Sequence, residues 1–333
     1  MPNSKTICFG LAAATMCVAL SSTFLARQAA QAPPAITMKM LKPDVWMGVG
    51  GGGNSTIIAG KTGVIVVDAK QTEPGAKALL AEIAKVTPKP VTTAIITHSD
   101  GDHVNGLVAF PAGIKIIAHA NNKKEQQAAL AAGGRGAPPA DKLPTQVTTK
   151  TKETMTIDGV KLELYRFAPA HTSGDLVVYL PAQKIVATGD LVVTNRADDN
   201  PNIHFEKDGS SEGWLKCVKG MIGLNADMYV TGHGDVLAKA DLQRKLTVTT
   251  ERRNKIVAMV KQGKTLDEIK AALPDAPAPG AAPRGAPAAG AATAGGAGRG
   301  APAAGAARGN APAAAPALTF VETAYREITK AKK

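Results

Sequence analysis

Within the decapeptide THSDGDHVNG at residues 97–106, two histidines and two aspartates fall in six positions: His98, Asp100, Asp102 and His103. Imidazole and carboxylate donors at this density suit zinc, iron or manganese, and the absence of thiolate argues against a structural zinc knuckle. If the loop is extended, side chains two apart face the same way. His98 and Asp100 then share one ion while Asp102 and His103 reach another, so two divalent cations are expected, zinc first, with iron or manganese as alternatives.

Residues of this kind need elements that bring them together, and the surrounding pattern supplies them. VTTAIITH reads as a strand running into His98, VKLELYRFAPAH ends on His171, DLVVYLPAQKIVATGD ends on Asp190, and ADMYVTGH ends on His233. Strands of one sheet that end at one edge converge their terminal residues on one place. NSTIIAGKTGVIVVDA, residues 54–69, reads as a β-hairpin. Residues 73–85 have helical spacing, and residues 238–273 read as two helices, the second with a Thr cap and a Pro stop. GVGGGG before the hairpin reads as a flexible turn, and GGGGNSTIIAGKT fails the phosphate-loop spacing because Ser55 stands where the first glycine is required. IKIIAH also ends on a histidine, His119, but a polar helix follows at once, so capping is the better reading there.

The four separate motifs resemble the metallo-β-lactamase superfamily, whose signature His-x-His-x-Asp-His stands here as His98-Ser99-Asp100-Gly101-Asp102-His103. PAHTSGD, ATGD and TGHGD match the later ligand positions at His171, Asp190 and His233. The resemblance implies an α/β (α+β) fold, a four-layer αββα sandwich with metals at one edge of two sheets. It implies one cation on His98, Asp100 and His171, a second on Asp102, His103 and His233, and Asp190 bridging both. An aspartate at the bridge is closest to hydroxyacylglutathione hydrolases and lactonases. Asp68 matches an aspartate that supports the ligand loop. His204, in PNIHFEKDGSSEGWLK, falls where the family often builds its substrate pocket and is a candidate to touch substrate, whereas Trp214 reads as core.

The departure is Asp100, where the common pattern has histidine. A carboxylate is harder and more negative, which favours iron or manganese at that position. The expected function is a metal-dependent hydrolase acting through an activated hydroxide, with Asp102 and Asp190 at the chemistry, on a carbonyl substrate: ester, lactone, thioester or β-lactam-like. A di-iron oxidoreductase or dioxygenase on the same fold, or a binding module with a degenerate metal site, are the alternatives.

The 333 residues divide into a leader at 1–32, a hydrolase domain at 33–273, an Ala/Pro/Gly-rich linker at 274–317 and a C-terminal helix at 318–333. Lys5 followed by an uncharged run from Ile7 to Ala26 and a small-residue site reads as a cleavable signal, hence a periplasmic or secreted protein, with an uncleaved membrane anchor as the alternative. Two of the three cysteines lie in the leader, so Cys217 has no partner for a disulfide in the mature chain. Despite a net charge of +12, aromatic content is only 4% and no basic stripe is interleaved with aromatics, which argues against nucleic acid. The partner expected is a small-molecule substrate, and no protein partner is indicated.

Overall fold

The computed structural model describes residues 34–133, 138–196, 199–275 and 318–330. The proposed leader, and nearly all of the proposed linker, lie outside them. The first half of the chain builds one sheet from β1 (Thr37–Lys42), β2 (Val45–Val49), β3 (Ser55–Ala59), β4 (Val64–Val67), β5 (Val91–Ile96), β6 (Lys115–His119) and β7 (Gln146–Thr148), hydrogen-bonded in that order. The second half builds another from β8 (Lys152–Ile157), β9 (Val160–Tyr165), β10 (Val177–Leu180), β11 (Ile185–Val193), β12 (Met228–His233) and β13 (Leu237–Ala238), in the order β13-β12-β11-β10-β9-β8. The helices are α1 (Glu73–Val86), α2 (Gly101–Val104), α3 (Ala120–Ala131), α4 (Ser211–Ile222), α5 (Lys239–Lys261), α6 (Leu266–Ala272) and α7 (Phe320–Lys330).

Side chains alternate across a strand, so a strand buried on both faces must be apolar throughout. β4 shows this in four residues. Val64 and Val66 pack with Leu79 and Ile83 of α1, while Ile65 and Val67 enter the inner core with Leu164, Val178 and Ile185 of the opposite sheet. A third cluster joins Val177, Val186 and Tyr229 to Trp214, Cys217 and Met221 of α4 and Leu242 of α5. Three apolar layers between four structural layers give the αββα sandwich expected from the sequence. Trp214 is core, its indole donating to the Leu191 carbonyl, and Cys217 is buried with its thiol pushed far above the usual thiol range by burial, a group with no nucleophilic role near neutral pH. No helix among the described residues is long and apolar enough to cross a membrane.

β4, β5 and β6 run parallel, as do β11 and β12, so their carboxyl ends lie at one edge. Ligand crevices of open α/β sheets form there.

α7 follows the Ala/Pro/Gly-rich stretch and returns to the domain. Phe320, Val321 and Ala324 bury against Ile256, Val260 and Ile269. Glu327 accepts hydrogen bonds from Ser210 Oγ at 2.5 Å and from the Ser211 backbone N–H at 3.1 Å, at the amino end of α4, where a carboxylate is favoured by the helix dipole and the free N–H groups. Glu327→Ala should lower unfolding free energy by about 1.5–3 kcal/mol, the range for hydrogen bonds to a charged group, read as a shifted denaturant midpoint with unchanged slope.

Candidate metal centre

Each side chain of the centre reaches the sheet edge by a different local device. The turn after β4 holds two non-glycine residues in the left-handed region, Asp68 at φ 65° and Lys70 at φ 76°, a conformation that persists only where surroundings over-determine it. Here they do. The Asp68 N–H donates to the Ile95 carbonyl at 3.0 Å and the Ala69 N–H to the His103 carbonyl at 2.7 Å. The Asp68 carboxylate accepts from the Thr97 N–H and Thr97 Oγ, both at 2.8 Å, and pairs with His103 Nδ1 at 2.9 Å. Asp68 therefore joins three segments of chain and fixes the His103 ring.

The signature departs from the extended loop expected from its spacing. β5 ends at Ile96, Asp100 is extended at φ −72° and ψ 143°, and Gly101–Val104 is a helical turn, α2, that begins the next residue. Its acceptors, the Asp100 carbonyl for the His103 and Val104 N–H groups, favour turn over strand. The alternation argument thus fails beyond Asp100, and the His98 and His103 rings meet at 4.3 Å between centroids. His171 likewise lies six residues past the end of β9, in a loop rather than on a strand. Asp175 organises that loop by accepting from the N–H groups of Ala170, His171 and Thr172. Burial pushes its carboxyl up to about 6. Asp190 sits where the β11–β12 register shifts, between Gly189 at φ 53° and Val193, an irregularity of the kind that re-aims a side chain near active sites. A Cβ on Gly189 would overlap Thr97, and one on Gly232 would overlap Asp190, so both glycines permit the approach.

The resulting cluster brings together every residue singled out for metal. His103 Nε2 lies 3.1 Å from Asp190 Oδ1, His233 Nε2 2.9 Å from Asp102 Oδ2 and 3.4 Å from Asp190 Oδ2, and His171 Nε2 3.0 Å from Asp100 Oδ2. Three groups could each hold an ion: His98 with His171 and Asp190, Asp102 with His103 and His233, and Asp100 with His171 and His204. Asp190 adjoins both halves. Asp68, with His98 and His103, makes a further close group, but its oxygens are occupied by Thr97 and His103. His119, as expected, is outside the cluster and caps α3 through Nδ1.

Whether these donors fit cations is answered by His98. The ring is 1% exposed, its Nδ1 meets Thr97 Oγ, and its Nε2 is buried with no hydrogen-bond partner among the described residues. Such an orphaned atom is costly unless a ligand takes it. Burial and the neighbouring His103 and His171 push the ring down to about 3, so it is neutral with a free lone pair aimed into the site. Elsewhere the carboxylates dominate. Against opposing burial, Asp190 and Asp68 raise His103 well above its usual range, Asp100 brings His171 up to about 9, and Asp102 with Asp190 brings His233 up to about 9. Asp100 and Asp190 are in turn held far below the carboxylate range by the histidines they face, again against burial.

Three participants were not visible in the sequence. Lys207 pairs with Asp100 Oδ1 and reaches Ser99 Oγ at 3.2 Å. Lys70 is fully buried, donates to the carbonyls of Gly48 and Gly53 at 2.7 Å each, and is pushed by burial down to about 7 against the pull of Asp68. Through it the glycine-rich stretch is pinned to the centre rather than free, and a Cβ on Gly53 would overlap the His103 ring. Glu125 accepts from Ser99 and Ser173 at 2.5 Å each, linking the signature to the His171 loop.

Residues 48–233 match the metallo-beta-lactamase superfamily, more than half of the chain. The 2,4-dinitroanisole O-demethylase subunit alpha of Nocardioides sp. (strain JS1661) is 28% identical over 60% of this chain and 58% of its own length. A metallo-beta-lactamase type 2 of Bacillus sp. (strain 170) is 27% identical over 60% of this chain and 77% of its own. Among solved structures, a stereoselective inverting sec-alkylsulfatase from Pseudomonas sp. superposes with a TM-score of 0.58 at 19% identity, over 73% of this chain and 46% of that one. A metallo-beta-lactamase from Pontibacter korlensis gives 0.54 at 21% identity, over 65% and 99%. The chain belongs to the metallo-beta-lactamase superfamily. It spans less than two thirds of the length of the demethylase subunit it matches.

Two outcomes follow from this geometry. Asp68→Asn cannot accept from Thr97 and His103 together, and should weaken cation binding about 10- to 100-fold, measured by competition with a chromophoric chelator. A cation must also displace the protons that the carboxylates hold on the histidines. Because His171 and His233 keep theirs up to about pH 9 and His103 is raised as well, apparent affinity should rise with pH from neutrality through about 9. Zinc added to the metal-free chain at pH 7.5 in weak buffer should release about two to three protons per chain, read with a pH indicator.

Proposed function

We propose that this chain is a metal-dependent hydrolase that turns water on a carbonyl or ester-like centre, working outside the cytoplasm. The observation that carries the reading is the shared orientation of the imidazoles. His98, His103 and His171 each engage Thr97, Asp68 or the Asn202 carbonyl through Nδ1 and turn Nε2 inward. Metal-ligating histidines have this form, since the outer hydrogen bond fixes ring and tautomer. His98, Asp100 and His171 would hold one cation, Asp102, His103 and His233 the other, with Asp190 between them. Bound divalent cations supply a hydroxide nucleophile near neutral pH and polarise the substrate oxygen.

The residues of the chain provide the rest. Asp102, part exposed and held by His233, is placed to orient the nucleophile and keep its proton. Asp190 is buried and fixed by His103 and His233, so it sets the spacing of the two halves without moving. A cavity of about 430 Å³ lies beside the centre, lined by Asn121, Lys124, Ser173, Glu206 and Lys207 among others. It suits a small substrate, and Lys207 links it to Asp100.

Asp100 motivates the di-iron alternative, because a carboxylate in place of histidine adds negative charge. Lys207 offsets that charge within one ion pair, so the local charge equals that of a neutral histidine and zinc remains the cation we assign. The relatives named above include a demethylase, a beta-lactamase and an alkylsulfatase. A panel of p-nitrophenyl esters, lactones, a chromogenic cephalosporin, an aryl sulfate and a nitroaryl methyl ether therefore tests the reading. One class should be hydrolysed by the zinc-loaded chain, abolished by chelator and restored by zinc. On that substrate His103→Ala and Asp190→Ala should each lower kcat/KM by about 100-fold or more. Full activity in both variants would refute the mechanism.

A further inference from the structure

We infer that His204 is itself a metal ligand, the imidazole that takes over the work of the histidine missing at position 100. The inference rests on the proposed dinuclear hydrolase and goes beyond the six ligands and one bridge assigned above. Among the described histidines, His204 repeats the arrangement of the expected ligands. Its Nδ1 engages Glu206 Oε1 at 2.5 Å, and its Nε2 turns inward to lie 3.0 Å from Asp100 Oδ2. The same oxygen lies 3.0 Å from His171 Nε2 and 3.7 Å from the orphaned His98 Nε2. Three imidazole nitrogens thus surround one carboxylate oxygen, while Lys207 occupies the other.

The donor atoms of Asp100, His171 and His204 all lie within 4.8 Å of one another. Four ligands about 2.0–2.1 Å from a tetrahedral zinc stand roughly 3.3–3.4 Å apart, so a cation fits among them with small shifts of the rings. The His171 and His204 rings meet edge to face at 4.8 Å between centroids, as the His98 and His171 rings do at 4.6 Å. Neither ring blocks the other.

The backbone makes this placement specific. The His204 N–H donates to the His171 carbonyl at 2.8 Å, and the Asn202 carbonyl meets His171 Nδ1 at 2.9 Å. One loop therefore orients the established donor and presents the new one. The Gly209 N–H returns to the His204 carbonyl at 2.9 Å and closes the turn, and a Cβ on Gly209 would crowd the carbonyls of Ala170, His171 and His204. A substrate contact would need neither the outer carboxylate nor the stitched turn. The carboxylate–histidine pair is the usual second layer of a metal ligand.

The test is the proton NMR spectrum of the full chain stripped of metal and reloaded with cobalt(II). Imidazoles bound through Nε2 give hyperfine-shifted Nδ1–H signals that vanish in deuterium oxide. The wild type should show five, from His98, His103, His171, His204 and His233, and His204→Ala should show four. In parallel, His204→Ala should raise the dissociation constant of one of the two cobalt ions about 100-fold, with circular dichroism and thermal unfolding of the metal-free variant checking its fold. The wild-type count stands whether or not the variant folds. Two cobalts with only four such signals in the wild type would overturn this assignment and leave the dinuclear reading intact. One cobalt whose signals change on His204→Ala would support the assignment and remove the dinuclear reading, and no uptake would remove both.

Discussion

The Asp68 carboxylate is the interaction on which the centre depends. It stands at the carboxyl end of β4 in a left-handed conformation, and from there it binds the end of β5 through Thr97 and the signature turn through His103. Without it the two strands would still pair, since their ladder is made of backbone. What would go is the link between sheet and signature, because among the described residues the His103 outer nitrogen pairs with Asp68 alone. Lys70, two residues on, extends the same turn to the glycine-rich stretch. One short segment thus sets the position of the signature on one side and of the glycine-rich stretch on the other.

The second constraint is electrostatic. Asp100, Asp102 and Asp190 converge on the same few ångströms with five imidazoles, and burial penalises the charge of every one of them. The chain answers with shared protons and with Lys207. A divalent cation answers better, since it matches several carboxylates at once and can replace protons that burial makes expensive to keep. Folding this many charged groups together is explicable only if their joint attraction for a cation is the purpose of the arrangement.

Much of this could be read from the amino-acid order. The hairpin at residues 54–69 and the four motifs follow from apolar runs that end in histidine or aspartate, and the helix from Glu73 from its helical spacing, all local signals; the αββα layers were implied by the family resemblance those motifs carry. The helical turn at Gly101–Val104 was hidden because spacing two apart fits a strand and a tight turn alike. Lys207 and Lys70 were hidden for a different reason. A lysine carries no spacing signal, and whether it is solvated or buried depends on tertiary contacts, with Asp100 107 residues away for Lys207 and with the carbonyls of Gly48 and Gly53 for Lys70. The glycine run was read as flexible for the same reason, since composition shows freedom of backbone but not the lysine that removes it.

Glu327 clamps Ser210 across 117 residues of sequence, and that span has a consequence for biogenesis. The loop from Asn202 to Gly209 is synthesised long before the helix that fastens its far end. Both sheets, with all strands already made, can assemble while that helix is still inside the ribosome. The nascent domain then has its two sheets complete, while the cluster around Ile256, Val260 and Ile269 still lacks Phe320, Val321 and Ala324 and the amino end of α4 still lacks the Glu327 carboxylate.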